Sequence, residues 1–234
     1  EAADGVSRVF RLGQYNTRLA RRIGDIPAEM QQRMTFASFD PRGSPRATPR
    51  ERASLAQAKK AAETFAAEPD AWLLFTGPHG SGKTHLAVAI AVERLHKGHP
   101  VFYASVPSLL DHLRATFSPD SPIGYDELFE HIKTVPLLIL DDLGAESSTP
   151  WAEEKLYQIV VHRHQARLPT VITTSFGIDD LERAKPGIAS RLVDSMVVDW
   201  EPIEAPIYQD QRRDTSGSGT GGRSSRGRQE PRRP

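Results

Sequence analysis

A Gly-rich segment carries the clearest chemistry in this sequence. Residues 77–84 read GPHGSGKT, which matches the pattern G-x-x-x-x-G-K-[ST]. The glycines of such a loop let backbone N–H groups wrap a phosphate, and the start of the following helix adds a positive partial charge. We therefore expect Lys83 to reach the β- and γ-phosphates of a nucleotide and the Thr84 hydroxyl to bind Mg²⁺.

We expect the whole loop, with the residue that follows it, to bind the nucleotide. Lys83 is also a catalytic candidate, because a cation on the phosphates stabilises charge on the transferring group. His79 is expected to be an exposed loop residue rather than a catalytic one. The predicted nucleotide-binding residues are Gly77, Pro78, His79, Gly80, Ser81, Gly82, Lys83, Thr84 and His85.

Two adjacent acids form the second half of the predicted site. Asp141 and Asp142 follow the apolar run 137–140 and begin 58 positions after Lys83. An apolar strand that ends in acids places carboxylates at the C-terminal edge of a parallel sheet, where such sheets bind ligands. We expect Asp141 to hold Mg²⁺ through water and Asp142 to orient or deprotonate the attacking water. Glu146 is either an accessory site residue or a solvated loop acid.

Strand and helix patterns alternate around these motifs. The pattern Thr48-Pro49-Arg50-Glu51 predicts a capped helix that runs to about Ala67. Apolar strands that alternate with helices predict an α/β fold, in which helices cover both faces of a parallel sheet. The predicted strands are 72–76, 100–105, 136–140, 170–175 and 196–200, and the predicted helices are 83–97, two pieces within 106–135, 151–165 and 179–185.

Composition and charge limit the class of protein. A chain of 234 residues without Cys excludes a disulfide scaffold and a thiolate zinc site. No apolar run approaches the ~20 residues that span a bilayer, and no signal peptide is visible, so we expect a cytoplasmic protein. The net charge of zero combines basic flanks, 1–50 at +4 and 211–234 at +5, with an acidic middle, 51–210 at −9. If the protein contacts nucleic acid, the contact must therefore be a local one on the acidic middle or come from the basic flanks.

Four segments together resemble a known group of ATPases. GPHGSGKTHLA, LLILDDLGAE, PTVITTSF and IASRL are similar to segments of the AAA+ ATPases of the DnaC/DnaI helicase-loader and IstB group. The resemblance covers 36–206 and implies a P-loop NTPase fold of the AAA+ type. That fold has a five-stranded parallel sheet with helices on both faces, here without a C-terminal lid domain. It also implies ATP and Mg²⁺ as cofactors.

The resemblance adds two catalytic candidates. Ser175 lies where the group usually has a sensor Asn that contacts the γ-phosphate or the water, and Thr174 could share this role. Arg191 matches the group's arginine finger, which enters the site of a neighbouring subunit and so implies a ring or helical oligomer. The alternative interpretations are an ordinary strand-end hydroxyl for Ser175 and a solvated charge for Arg191.

The segment 106–135 lies where the group has an extra helix that faces single-stranded DNA. Within it, the resemblance makes Arg114 and Lys133 candidate phosphate contacts and Phe117 and Tyr125 candidate stacking partners. The alternative is an ordinary amphipathic connector between two strands.

The predicted domain organisation has four parts. Phe36 and Phe39 begin the second part and either pack near the adenine base, as in relatives, or anchor the N-terminal arm to the core. The parts are an N-terminal helical arm that is a reduced or shortened partner-binding region (1–35), a linker with the first ATPase helix (36–70), the AAA+ core (71–206) and a disordered Arg/Gly/Ser-rich tail (207–234).

The resemblance predicts an ATPase that acts in DNA replication and loads the replicative helicase on single-stranded DNA. Its expected partners are that helicase, single-stranded DNA and further copies of the chain, with no membrane. Two alternatives stay open. One is an IstB-like transposition ATPase, and the other is a nucleotide-dependent DNA- or partner-binding switch with little turnover, which Ser175 in place of Asn favours.

Overall fold

A computed structural model describes residues 26–118, 120–121 and 124–205 of the chain. The strands are β1 (Trp72–Thr76), β2 (Phe102–Ser105), β3 (Leu138–Leu143), β4 (Thr170–Thr174) and β5 (Val198–Pro202). The helices are α1 (Ala28–Arg33), α2 (Pro49–Ala67), α3 (Lys83–His96), α4 (Val106–Ala115), α5 (Tyr125–Thr134), α6 (Pro150–Gln165), α7 (Ile178–Ala184) and α8 (Pro186–Leu192). No helix in these ranges is long and apolar enough to cross a membrane.

All five strands are parallel and lie in the order β2-β3-β4-β1-β5. The prediction of a five-stranded parallel sheet is therefore confirmed. Thr76 at the end of β1 pairs with Thr174 at the end of β4, and Ser105 at the end of β2 pairs with Asp141. The carboxyl ends of the four neighbouring strands thus meet at one edge, where open α/β sheets bind ligands.

Helices cover both faces of the sheet, as predicted, and each face has its own apolar core. Trp72 and Leu74 of β1 pack on one face with side chains from α4, α5, α6, α7 and α8. Leu73 and Phe75 point to the opposite face and pack with α2 and α3. This alternation follows from the two-residue period of a strand.

Helix α2 begins where its sequence predicts. The Thr48 hydroxyl accepts a hydrogen bond from the backbone N–H of Glu51, and the Glu51 carboxylate accepts one from the backbone N–H of Thr48. This capping box pairs N–H groups that a helix start leaves unpaired. The predicted linker before this helix lies close to the core. A side chain at Gly43 would have little room, because a Cβ there would lie 2.8 Å from the Leu55 side chain.

Strand β3 differs from its prediction at both ends. We expected 136–140, with the acids after the strand, but β3 begins at Leu138 and continues through Asp141 and Asp142 to Leu143. Between Leu140 and Leu143 the strand advances by one residue more than β4, which is a β-bulge. The acids remain in the strand because neighbouring hydroxyl groups hold the first of them, and the bulge re-aims the second.

The last strand was predicted two residues too early. Val198–Pro202 forms β5, whereas 196–200 was expected. The reason is a turn, in which the backbone N–H groups of Val197 and Val198 both donate to the carbonyl of Asp194. Met196 is therefore outside the sheet and 80% exposed. The predicted arm and tail fall largely in 1–25 and 206–234, outside the described residues.

Candidate functional site

The loop between β1 and α3 requires glycine at two points. At Gly77 φ is +145°, and a Cβ would lie 2.2 Å from the carbonyl oxygen of Ile203. At Gly82 φ is +103°, and a Cβ would lie 2.8 Å from the Phe39 ring. Another residue at either position would strain the backbone and collide with a neighbour. Helix α3 then starts at Lys83 without a side-chain cap, and such a helix start can bind an anion through its N–H groups.

Lys83 is held across the mouth of this loop. Its Nζ donates to the carbonyl oxygens of Gly77 and Pro78, at 2.8 Å each, and the residue is 4% exposed. Burial lowers the pKa of Lys83, while the charges of Asp142 and Asp141 oppose that shift. The ammonium group is thus pre-positioned beside the loop.

Three hydroxyl groups hold the Asp141 carboxylate. Thr84 and Thr173 donate to Oδ1, at 3.0 and 2.6 Å, and Tyr103 donates to Oδ2 at 2.9 Å. Asp141 is 2% exposed, and this burial raises its pKa, whereas the hydrogen bonds from Thr173, Tyr103 and Thr84 lower it. The structure therefore joins the Gly-rich loop to the acidic pair through one direct contact, from Thr84 to Asp141.

Asp142 has an uncommon backbone conformation for a residue other than glycine. Its φ is +58°, in the left-handed region. Its N–H donates to the Thr173 hydroxyl at 2.9 Å, and its carbonyl accepts from the N–H of Ala145 at 3.1 Å. Neighbouring groups therefore hold a conformation that would otherwise be costly, as is common at functional sites.

The end of β4 contains one residue that the sequence reasoning missed. Thr173, not predicted, bridges both acids through its hydroxyl. Thr174 donates instead to the carbonyl of Leu143 at 2.7 Å. Ser175 follows the strand and is partly exposed at the same edge. No local signal singles out Thr173, because its contacts to the acids depend on β3 lying beside β4.

The N-terminal segment is tied to α3 beside the Gly-rich loop. The His85 Nε2 lies 2.9 Å from the carbonyl oxygen of Thr35, which must accept, so this nitrogen carries the hydrogen. Burial lowers the pKa of His85. Phe39 is 2% exposed and meets the His85 ring edge-on at 5.2 Å, as a core anchor would. Phe36 is partly buried against the same core, and an adenine contact stays a prediction for both rings.

Arg191 lies on α8 with its guanidinium group folded back. Its Nη1 donates to the carbonyl oxygen of Gly187 at 3.0 Å and to the hydroxyl of Ser190 at 2.7 Å. The guanidinium carbon also lies 5.6 Å from the centre of the Tyr157 ring. These contacts are to its own helix and to α6, so Arg191 is anchored locally at the surface.

Two further loop predictions have different outcomes. His79 is exposed, as expected for a loop residue. Glu146 is 8% exposed and contacts the N–H of Gly144 and the ammonium of Lys185. The interpretation of Glu146 as a solvated loop acid is therefore wrong.

The candidate DNA contacts lie on α4, α5 and the turn after α4. Phe117 is 57% exposed, and its ring stacks on Tyr125 with 4.9 Å between centres. The Arg114 guanidinium lies 4.9 Å over the Trp151 ring of α6. Lys133 pairs instead with Glu130 on its own helix. Tyr125 also packs against the core, so this segment contributes to the fold, as the interpretation as an amphipathic connector requires.

The Gly-rich loop after β1, the acids within β3 and the order of the strands define a P-loop protein of the AAA+ type. A family model described as IstB-like ATP binding protein matches residues 14–201. The chain therefore belongs to this family of ATP-binding proteins, and nucleotide use follows from membership.

Helicase loaders are among the relatives to which this chain is similar. The replicative helicase loader DnaI of Bacillus subtilis (strain 168) is 33% identical over 111 residues, which are 47% of this chain and 35% of that protein. The replicative helicase loader DnaC of Escherichia coli (strain K12) is 27% identical over 143 residues, which are 61% of this chain and 56% of that protein. A crystal structure of DnaI superposes with a TM-score of 0.59 at 26% identity, covering 78% of this chain and 94% of that one. The chain thus spans about a third to just over half of the length of these curated relatives.

Proposed function

We propose that this chain hydrolyses ATP at the C-terminal edge of its sheet and that it acts as a helicase loader in DNA replication. The observation that carries the proposal is the direct contact between Thr84 of the Gly-rich loop and the buried Asp141. Lys83 lies across the same loop and would hold the β- and γ-phosphates. Such sites catalyse by positioning and by electrostatic stabilisation of the transferring phosphoryl group.

Thr84 and Asp141 fit Mg²⁺. A hydroxyl and a carboxylate oxygen 3.0 Å apart are ligands of the type that Mg²⁺ takes, with Asp141 acting through water. Over the described ranges, no three His, Asp or Glu side chains are grouped to hold a metal alone. That fits a site completed by phosphate oxygens, because Mg²⁺ commonly uses one or two carboxylates together with substrate phosphates. When bound, the ion would neutralise charge on the phosphates.

Asp142 would orient the attacking water or accept its proton. Its backbone is held by Thr173, which also bonds Asp141, so the two acids keep a fixed relation. Ser175 would contact the γ-phosphate or the water from the end of β4, where its shorter side chain must reach further than an Asn. Turnover that is absent even in assembled protein would instead support the nucleotide-dependent switch.

Arg191 would complete the site of a neighbouring copy of the chain. A partly exposed arginine on a surface helix, satisfied by contacts to Gly187 and Ser190, can leave them for a phosphoryl group. An arginine finger of this kind adds about 10³- to 10⁵-fold to turnover in related P-loop enzymes. The chain would therefore be active as a ring or a helical oligomer rather than as a monomer.

Mixing two inactive variants tests this arrangement. Lys83→Ala subunits keep their arginine but cannot use nucleotide, while Arg191→Ala subunits keep a complete phosphate site. We expect each variant alone to be inactive in ATP turnover and their mixture to recover activity, because the first donates its arginine to the second. A mixture that stays inactive, although both variants fold and assemble, would contradict a site shared between subunits.

A group of aromatic rings in which Phe117 is exposed supports contact with single-stranded DNA. The rings of Phe117, Tyr125 and Phe129 stack in succession, at 4.9 and 5.4 Å between centres. Trp151 meets Phe117 edge-on at 6.0 Å, and Arg114 lies over the Trp151 ring. Sequence-tolerant binding of single strands uses aromatic side chains on which bases stack, beside cations that contact the backbone.

Salt-dependent binding of single-stranded DNA, with and without ATP, tests this surface. We expect Phe117→Ala to weaken binding by about 5-fold or more, since stacking contributes about 1–3 kcal/mol per base. Deleting residues 211–234 tests whether DNA binding comes from the core or from the basic tail. A steep salt dependence that survives the deletion places binding on the core, and its loss would assign binding to the tail.

The helicase-loading role rests on relatives whose names state it, DnaI and DnaC. It predicts that the ATP-bound chain transfers a replicative helicase onto single-stranded DNA and that the protein is cytoplasmic. The second candidate is a transposition ATPase, which the IstB-like family match favours. Adding a replicative helicase or a transposase to the purified chain, with ATP turnover as the readout, distinguishes the two.

A further inference from the structure

A buried ion pair joins the loop after β3 to the start of α8. The Nζ of Lys185 lies 2.6 Å from an oxygen of Glu146, and the two side chains are 6% and 2% exposed. The second oxygen of Glu146 accepts a hydrogen bond from the N–H of Gly144 at 2.8 Å. Burying two charges costs desolvation that their attraction often fails to offset, so a buried pair is weak evidence for a role in stability.

On the Glu146 side, the loop is continuous with Asp142. The carbonyl of Asp142 accepts from the N–H of Ala145, the residue next to Glu146. Gly144 has φ +97°, and a Cβ there would lie 2.2 Å from the Phe176 ring, so the loop is closely packed. The loop that carries Glu146 is therefore held next to Asp142 by its own hydrogen bond and by the Phe176 ring.

On the Lys185 side, the residue sets the first turn of α8. It lies between α7 and α8, and its carbonyl accepts from the N–H groups of Ile188 and Ala189 at 3.0 and 2.9 Å. Its own N–H donates to the carbonyl of Leu181 at 2.7 Å. Arg191 lies less than two turns further along the same helix. The ammonium of Lys185 thus attaches this helix start to the loop that begins at Asp142.

We propose that Glu146 and Lys185 are positioning residues for Arg191. Their ion pair fixes the start of α8 against the subunit's own phosphate edge, so that Arg191 meets the neighbouring site correctly. This inference rests on the proposed role of Arg191 as a finger supplied to another subunit. A catalytic group displaced by about 1 Å can cost about 100-fold in rate, so a small shift of α8 is sufficient for a large effect.

The double variant Glu146→Gln/Lys185→Met removes both charges together. Gln keeps an acceptor for the N–H of Gly144, and Met keeps the length of the lysine stem, so no unpaired charge is left buried. We expect a thermal unfolding midpoint at least equal to that of the wild type and nucleotide affinity within about twofold, but turnover reduced by about 10- to 100-fold. Arg183→Met is the matched control, because Arg183 is exposed on α7 and pairs within its own helix.

Mixed assemblies separate a misplaced finger from a damaged site. The double variant keeps its own phosphate site, so Lys83→Ala subunits, which supply a normal Arg191, should restore turnover. Arg191→Ala subunits need a finger from the double variant, so that mixture should stay inactive. The reference mixture of Lys83→Ala with Arg191→Ala must itself be active.

The outcomes distinguish the two proposals. An inactive reference mixture overturns the shared site and, with it, the positioning role. With an active reference mixture, wild-type turnover in the double variant overturns the positioning role alone. So does a failure of Lys83→Ala subunits to restore turnover, which would mean that the pair supports its own site or the fold. Recovery with Arg191→Ala subunits overturns it as well, because the finger would then be correctly placed.

Discussion

The phosphate edge of the sheet and helix α8 are built in opposite ways. At the edge, Lys83 and Asp141 are buried, and hydrogen bonds join different elements, as when Thr84 of α3 and Thr173 of β4 both donate to Asp141 of β3. On α8, the Arg191 guanidinium donates to the carbonyl of Gly187 and the hydroxyl of Ser190 in its own helix. It also lies over the Tyr157 ring of α6. The contacts of the first region link several elements, whereas those of Arg191 are local and leave its charge partly exposed.

This contrast indicates how the chemistry would be divided between the phosphate edge and α8. Groups that bind phosphate and metal need a fixed geometry before the nucleotide arrives, which buried hydrogen bonds provide. A group that acts on a neighbour must be able to leave its own contacts, so weak local contacts are suitable. Variants at the edge should therefore affect nucleotide binding, whereas variants on α8 should affect turnover alone.

The largest expected effect follows from Lys83→Ala. This change removes the ammonium group beside the carbonyl oxygens of Gly77 and Pro78, so we expect nucleotide affinity to fall by about 100-fold and turnover to reach background. Titration with a fluorescent ATP analogue measures the affinity. Lys97→Ala, at the end of the same helix, is exposed and should behave as the wild type. Wild-type turnover in Lys83→Ala would refute the nucleotide site.

Arg191→Ala should separate the two regions most clearly. We expect nucleotide affinity within about twofold of the wild type and turnover reduced by about 100-fold or more at concentrations where the chain assembles. Arg183→Ala on the neighbouring α7 serves as the control, since this side chain is exposed and pairs within its own helix. Loss of nucleotide binding in Arg191→Ala would mean instead that the arginine holds the fold.

Local sequence rules predicted the parts of the molecule that depend on local backbone. The loop 77–84 and the cap at Thr48 follow from residues a few positions apart, so both could be located correctly. The alternation of strands and helices along the chain also predicted the parallel sheet, because each helix crosses over to the next parallel strand. The bulge at Asp141 could not be predicted, because it depends on how β3 pairs with β4.

Non-local contacts escaped the sequence reasoning. Tyr103 and Thr173 reach Asp141 because β3 lies between β2 and β4, and strand order is not encoded in any local pattern. Arg163 is a stronger case, since a charge on a helix is usually solvated. It is completely buried, donates to the carbonyl oxygens of Val135 and Pro169, and has a pKa that burial lowers to about 9.

Tyr103→Phe tests the buried edge with a smaller change. It removes one hydroxyl bond to Asp141 and little volume, and partners behind a metal ligand typically contribute about 10- to 100-fold to metal affinity. We expect the Mg²⁺ concentration for half-maximal nucleotide binding to rise about tenfold, with little change in metal-free binding. Tyr125→Phe, on α5, is the control. An unchanged Mg²⁺ requirement would contradict a metal role for Asp141.

Tyr103→Phe should also change the pH dependence of Mg²⁺-dependent nucleotide binding. Burial raises the pKa of Asp141, and the carboxylate is ionised only above that raised value, so Mg²⁺-dependent binding should fail as the pH drops through it. The Tyr103 hydroxyl lowers the pKa of Asp141, so its removal raises the pKa further. The failure should then begin at a higher pH in Tyr103→Phe than in the wild type, measured by nucleotide titrations across pH.

The smallest expected effect concerns the ring beneath Arg191. If Arg191 must leave Tyr157 to enter a neighbouring site, the contact between them opposes assembly, because it exists only in the free chain. An exposed cation–π contact contributes about 0.5–1 kcal/mol, so Tyr157→Leu should lower the protein concentration for half-maximal turnover by about two- to fivefold. Tyr157→Phe keeps the ring and should leave that concentration unchanged. A higher concentration in Tyr157→Leu would mean that the ring presents the arginine, and α8 would then be preorganised like the phosphate edge.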